Sequence, residues 1–353
     1  MTKNFNKLNK NKNLTLLTTL FILFSSMSLV AAETDSQETK SAKPLDTVTL
    51  PFPSELRISG NEGWVQLAYI VDKEGNVKDP IIEASVGGMP FEKTAIEALQ
   101  SLKYSPAIFK GSKVEEAVSG EVVEFLLEQT FEGVDQGFSN TYTNLLDATR
   151  TGDKAAADAA FAKLEASQDL TVHEISMLEV MRAYRAAESG DQVKQLQHLR
   201  KASVRDGMHL SKEMLSTVLQ TRFALAAKQS LFHEAFYAYN LLEQIDPEND
   251  KLTTLAMAMV PMQKAIETGN LIKVDATIGD LGYWTYTPMR RVFAFAAAEE
   301  GVKEFEPRCA RKNQRFTVTT TSEWKIPDSW GACTVVIYGT PGAKFSLYEH
   351  ADI

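Results

Sequence analysis

Residues 51–128 narrow what this chain can fold into more than any other part of it. Trp64 to Val71 reads WVQLAYIV. Trp64, Gln66, Ala68 and Ile70 fall on one face and Val65, Leu67, Tyr69 and Val71 on the other, and the aromatic and β-branched content predicts a strand. Asp72, Lys73, Glu74, Gly75 and Asn76 supply a turn, with Gly75 free to take a positive φ. A second strand follows over 77–85, so the two make a hairpin. Pro80 has no N–H, which places it at an edge or a bulge. Phe91, Ala95, Ala98, Leu99 and Leu102 then recur at helical spacing and predict a helix over 89–102. Pro106 disfavours helix at Ser105, Gly111 marks a turn, and 121–127 alternates as a third strand. The order is β-β-α-β.

In sequence this stretch resembles the C-terminal domain of TonB-family energy transducers. The residues that carry the likeness are Pro51-Phe52-Pro53, Gly63-Trp64-Val65, Val71-Asp72 with Gly75, Val77 and Asp79, and Phe91, Ala95 and Ala98 on the helix. Tyr104-Ser105-Pro106-Ala107, Gly111, Val114 and Val123-Glu124-Phe125 complete the set. The resemblance implies a domain over 51–128. It also implies a periplasmic module that captures an extended segment of an outer-membrane receptor as an added strand. An open sheet edge offers unpaired N–H and C=O groups for that purpose. The accepting edge maps to Glu121, Val122, Val123, Glu124, Phe125 and Leu126. Pro51, Phe52 and Pro53 lie near the captured peptide, with Phe52 where the family usually has Tyr. The same residues also have a purely structural reading. Trp64, Phe91, Ala95 and Tyr104 suit a core, and the last strand suits a plain edge as well as a binding one.

The first 32 residues have the form of a secretory signal. Lys3, Lys7, Lys10 and Lys12 precede an apolar run over 14–24, and Val30-Ala31-Ala32 offers small residues for cleavage before Glu33. The alternative is an uncleaved inner-membrane anchor facing the periplasm, since 14–32 is about as long as a spanning helix. TonB-like transducers carry a His in that helix and a long Pro-rich spacer. Here the segment has no His, and residues 33–50 are a short polar linker of at most about 60 Å when fully extended. The chain's net charge is -9. An acidic body of this kind lacks the basic patch of a nucleic-acid binder.

Beyond the linker at 129–137 the pattern turns helical. Gly152-Asp153, Gly190-Asp191, Gln229-Ser230 and Gly269-Asn270 each follow one apolar-periodic helix and are expected to precede another, at spacings of 38, 39 and 40 residues. The run HEAFYAYNLLEQIDPEND, with Ala235, Tyr239 and Leu242 before Pro247, resembles the second helix of a tetratricopeptide-type repeat. Residues 138–270 are therefore expected to form a tetratricopeptide-like α-solenoid, either a protein-binding surface or a spacer. Residues 271–353 read as a small all-β sandwich or barrel, with strands at 272–276, 291–296, 315–321, 333–338 and 344–348. The only cysteines, Cys309 and Cys333, lie here and are expected to form a disulfide in an oxidising compartment. Trp284, Trp324 and Trp330 line either a groove or the core.

No catalytic, cofactor or metal motif emerges. His173, His198, His209, His233 and His350 show no metal-ligand spacing, and there is no Gly-x-Ser-x-Gly elbow or phosphate loop. The fold class is multidomain α+β. The leading function is TonB-linked, energy-dependent transport across the outer membrane, for example of iron complexes, with a receptor segment or another periplasmic protein as partner. The alternative is an envelope scaffold that uses the helical repeats for protein contacts. A hydrolytic enzyme would require a polar cleft with coupled titrating groups.

Overall fold

A computed structural model describes residues 39–45, 51–127, 133–297, 301–319 and 323–351. The expected signal segment 1–32, most of the linker and Glu128 lie outside the described residues, as do Thr320 and Thr321 of one expected strand.

The first region contains β1 (Lys43–Pro44), α1 (Ser54–Ile58), β2 (Gly63–Val71), β3 (Val77–Val86), α2 (Met89–Ser101), β4 (Tyr104–Ser105), β5 (Ala107–Phe109), β6 (Ser112–Val114) and β7 (Glu116–Phe125). β2 is the centre of a three-stranded antiparallel sheet with β3 and β7 on its flanks. The hairpin closes where Asp72 Oδ1 accepts from the backbone N–H of Glu74 and Asn76. Gly75 sits there at φ 83°. Pro80 lies on an edge strand, where the register slips between Ala68 and Ile70 of β2, as a residue without a donor requires. Pro90 stands in the first turn of α2, whose Phe91, Ala95 and Leu99 bury against Val65, Leu67, Tyr69 and Val71. The imperfect alternation of β2 has a physical cause. Both faces of the strand are covered, so every residue except Gln66 is buried.

Two expectations change in this region. The third strand was expected over 121–127, but β7 begins at Glu116 and ends at Phe125, which leaves Leu126 just beyond it. A bulge at Ser119–Gly120 interrupts the alternation and hides the first half of the strand from a pattern search. Part of the expected linker is also strand-like. Lys40 exchanges backbone hydrogen bonds with Ile108 at 2.8 and 2.7 Å, and β1 pairs with β4. The open backbone groups of β4 and β5 are satisfied by this passing chain.

Helices α3 (Gln136–Thr151), α4 (Lys154–Glu165), α5 (Val172–Glu188), α6 (Gln192–Ala202), α7 (Lys212–Lys228), α8 (Phe232–Ile245) and α9 (Leu252–Glu267) follow. α3 packs on α4, α5 on α6 and α7 on α8, which makes three helical hairpins. Their junctions fall where the sequence places them. Asp153 and Asp191 cap the second helices by accepting from Ala156 N–H and Lys194 N–H, each at 3.0 Å. A capping box of Thr171 and Glu174 opens α5. The last junction is a correction: Gly269-Asn270 ends α9 but leads into a strand, not a helix. α9 instead joins the helical core to the next region. Leu252, Leu255 and Met259 pack with α7 and α8, and Ile266 packs on the β core.

The C-terminal region holds β8 (Ile272–Thr277), β9 (Tyr283–Tyr286), β10 (Val292–Ala297), β11 (Val302–Cys309), β12 (Phe316–Thr317), β13 (Glu323–Lys325), β14 (Cys333–Gly339) and β15 (Lys344–His350). They form two four-stranded antiparallel sheets, in the orders β13-β10-β15-β8 and β12-β11-β14-β9. Phe293 and Phe295 of one sheet meet Phe305 of the other at 6.1 and 5.4 Å between ring centroids. The arrangement is a sandwich. β9, β11 and β13 were not anticipated, and the expected 315–321 strand shrinks to β12. Cys309 and Cys333 face each other in the β11–β14 ladder and are joined as a disulfide. Trp284, Trp324 and Trp330 all pack against the sandwich core, so the groove reading gives way to the core reading. Arg290 locks the sandwich to α9 by donating to the carbonyls of Ile266 and Asn270, while Met289 and Arg290 donate their N–H groups to the buried Glu349.

Candidate partner-binding edge

The sheet of the first region has two outer strands, and they differ. At β3, the Tyr283 hydroxyl of the sandwich donates to the Ile82 carbonyl at 2.6 Å and accepts from the Ile82 N–H at 2.9 Å. Burial pushes the Tyr283 hydroxyl up to about 12, so it keeps its proton and serves both groups. At β7 the only ladder partner among the described residues is β2. Among the described residues, no backbone hydrogen bond reaches β7 from any other segment. Ser119, Gly120 and Glu121 are exposed, Val122, Val123 and Glu124 half-buried, and Phe125 buried.

A carboxylate holds the bulge in place. Gly120, at φ 78°, donates its N–H to Glu83 Oε2 at 2.7 Å, and the Gln66 amide reaches the same oxygen at 3.2 Å. Burial raises the Glu83 carboxyl, and these two hydrogen bonds offset part of the rise. Below the bulge the strand is regular from Glu121 to Phe125.

The two faces of β7 go to different neighbours. Val123 and Phe125 face α2 and its core. Val122 packs with Trp64 against Val172 of α5 and Val204. Glu124 is bound by Arg205 and by His209, whose Nε2 lies 2.7 Å from Glu124 Oε1. Burial pushes the Glu124 carboxyl up, but the hydrogen bond and charge of His209, with those of Arg205, outweigh it. The carboxyl therefore lies below its ordinary value. The His173 ring stands edge-on 5.1 Å from that of His209, and burial followed by the His209 charge lowers its pKa. Glu62 accepts from Leu127 N–H at 2.9 Å and Val172 N–H at 3.0 Å, which ties the end of the sheet to the start of α5. No local pattern points to these roles for Glu62, Arg205, His209 or Tyr283. Their roles depend on contacts between segments as much as two hundred positions apart.

Pro51, Phe52 and Pro53 precede α1. Pro51 is exposed and the other two half-buried. The Phe52 ring meets Phe91 and Phe125 edge-on at 5.5 and 6.1 Å, under the Arg57 guanidinium. The segment therefore lies at the end of β7, with Phe52 in the core and Leu126 exposed beside it. Among the described residues, no three His, Cys, Asp or Glu side chains converge as metal ligands, and no helix is long and apolar enough to cross a membrane.

Residues 48–123 match the family model for the Gram-negative bacterial TonB protein C-terminal. The first region is a TonB-like domain. A solution NMR structure of the Pseudomonas aeruginosa TonB CTD is 20% identical, covers 28% of this chain and 95% of that one, and superposes with a TM-score of 0.22. Curated proteins give no match.

Proposed function

We propose that this protein is a periplasmic binding protein that captures an extended partner segment by adding it as a strand to β7. The family match suggests TonB-linked transport across the outer membrane, with a receptor segment as partner. The observation that carries the reading is the asymmetry of the two edges. Tyr283 closes β3 at Ile82, and β7 keeps an open edge with a regular run of residues. The peptide site is Glu121, Val122, Val123, Glu124, Phe125 and Leu126, bordered by Pro51, Phe52 and Pro53. In this reading residues 1–32 are a cleaved signal peptide, 33–50 a linker and 51–128 the capturing domain. The three helical hairpins belong to a tetratricopeptide-like unit over 138–270 that offers a second protein surface, and 271–353 is a disulfide-stapled sandwich.

Val123→Pro tests the mechanism, because proline removes a donor and fixes φ on the accepting strand. Binding to receptor-derived peptides, read by fluorescence anisotropy, is expected to weaken at least tenfold in a variant that keeps its fold by circular dichroism. Unchanged binding would rule out strand addition at β7. The mass of the N-terminus of the native protein tests the location. A chain starting at Glu33 in the soluble periplasm fits an adaptor, and an intact Met1 in the inner membrane fits a transducer.

The second reading is an envelope scaffold whose sheet serves as a packing surface. Its support is the hold of Arg205 and His209 on Glu124. That hold covers a face of β7 and leaves the edge uncovered, which favours the first reading.

A further inference from the structure

A cavity of about 210 Å³ lies between the TonB-like sheet and the sandwich. It is small beside the roughly 300–1,000 Å³ of a typical ligand pocket, and its size suits one side chain. Ala68, Ile81, Ala117 and Val336 line its apolar wall, and its border on β7 runs along Ala117, Val118 and Ser119. Side chains of a strand added at β7 would point alternately to the two faces of the sheet. Those on the face shared by Ala68 and Ile81 point toward this cavity.

The charge of the wall is lopsided. Each nitrogen of Arg308 donates one hydrogen bond: Nε to Glu306 at 2.9 Å, Nη1 to the Asp79 carbonyl at 2.7 Å and Nη2 to the Tyr338 hydroxyl at 2.9 Å. Glu306 pairs with Arg308 and also with Arg315. Glu83 makes no ion pair among the described residues, although the nearby Arg308 charge offsets part of the rise that burial gives its carboxyl. Both of its hydrogen bonds end on Oε2, so Oε1 remains as an acceptor. A carboxylate with one oxygen committed suits a single point donor better than the two-pronged fork of arginine. An aliphatic stem suits the apolar wall.

We propose that the cavity is a specificity pocket for a lysine of the captured segment, its stem along Ala68, Ile81 and Val336 and its ammonium on Glu83 Oε1. The proposal rests on strand addition at β7. The test uses the full chain and ten-residue peptides of alternating Thr and Val, with lysine, norleucine or arginine at one guest position moved along the peptide. At one register lysine is expected to bind about tenfold tighter than norleucine, the strength of one charge-assisted hydrogen bond. Glu83→Gln, which keeps an acceptor for Gly120, should abolish that preference and leave norleucine binding unchanged, whereas Ala332→Leu, which fills the cavity from an exposed position, should weaken lysine and norleucine together at that register. Equal binding of lysine and norleucine at every register, or a lysine preference that survives Glu83→Gln, overturns the pocket while strand addition stands. Binding by no peptide, or full binding by Val123→Pro, overturns strand addition and the pocket with it.

Discussion

Gly75 and Glu124 show two kinds of constraint that single residues carry here. Gly75 combines φ 83° with a close backbone approach, since a Cβ there would stand 2.0 Å from the Tyr104 carbonyl oxygen. Gly75→Ala is therefore expected to cost at least about 2 kcal/mol, more than the ordinary glycine-to-alanine difference, read from urea unfolding. Glu124 is held below its ordinary pKa by His209 and Arg205 despite burial. A carboxyl lowered in the fold adds stability above its unfolded value, and that stability is lost as pH falls through the folded value. Unfolding midpoints are expected to drop on acidification below the ordinary carboxylate range, and Glu124→Gln should flatten that drop. An unchanged acid limb in Glu124→Gln would mean that the contact with His209 and Arg205 adds no net stability.

At the scale of elements, edges and ends need partners, and this chain draws them from distant segments. The Tyr283 hydroxyl occupies both backbone groups of Ile82 on β3. Tyr283→Phe leaves them without that partner and is expected to cost about 1–3 kcal/mol, with faster amide exchange at Ile82. Arg290 plays a similar part at the end of α9, where it donates to the Ile266 and Asn270 carbonyls. Arg290→Ala should raise hydrogen exchange through the last turn of α9 while α3 to α6 stay protected. Exchange rising equally in all helices would mean that α9 does not open on its own. α9 also explains why the repeat rule fails at its last step. Pro261 lies inside the helix, where it has no N–H to donate, and Met262 is its one buried residue. Leu252, Leu255 and Met259 turn to the helical core and Ile266 to the sandwich, so no second helix is needed to cover it.

In the whole molecule the described residues pack as one body. The TonB-like sheet is its shared surface. The helical region covers one end of a sheet face through Trp64 and Val122, and the sandwich covers the other through Ala68 and Ile81. Opening the Cys309–Cys333 disulfide, which closes a loop of 24 residues, is expected to cost about 3 kcal/mol on the chain-entropy model. Because the sandwich braces β3 through Tyr283 and Arg308, reduction should also expose β3 to exchange. A loss confined to the sandwich would show that the regions unfold separately.

By itself the sequence determined the parts whose causes are local. The Asp72–Asn76 turn, the Phe91, Ala95 and Leu99 stripe of α2, the caps at Asp153 and Asp191 and strands β8, β10, β14 and β15 of the sandwich all follow from periodicity and side-chain chemistry within a few positions. The candidate edge residues from Glu121 to Phe125 were legible for the same reason, through alternation and the family likeness. The first half of β7 was not, because a bulge breaks the period on which that reading depends. Only the tertiary structure decided which edge is open, since Tyr283 lies some two hundred residues from the strand it closes. It also decided that β2 is covered on both faces, that Glu124 meets His209 and that Glu83 borders a cavity. Burial and long-range hydrogen bonds depend on which surfaces meet, and no local pattern encodes that.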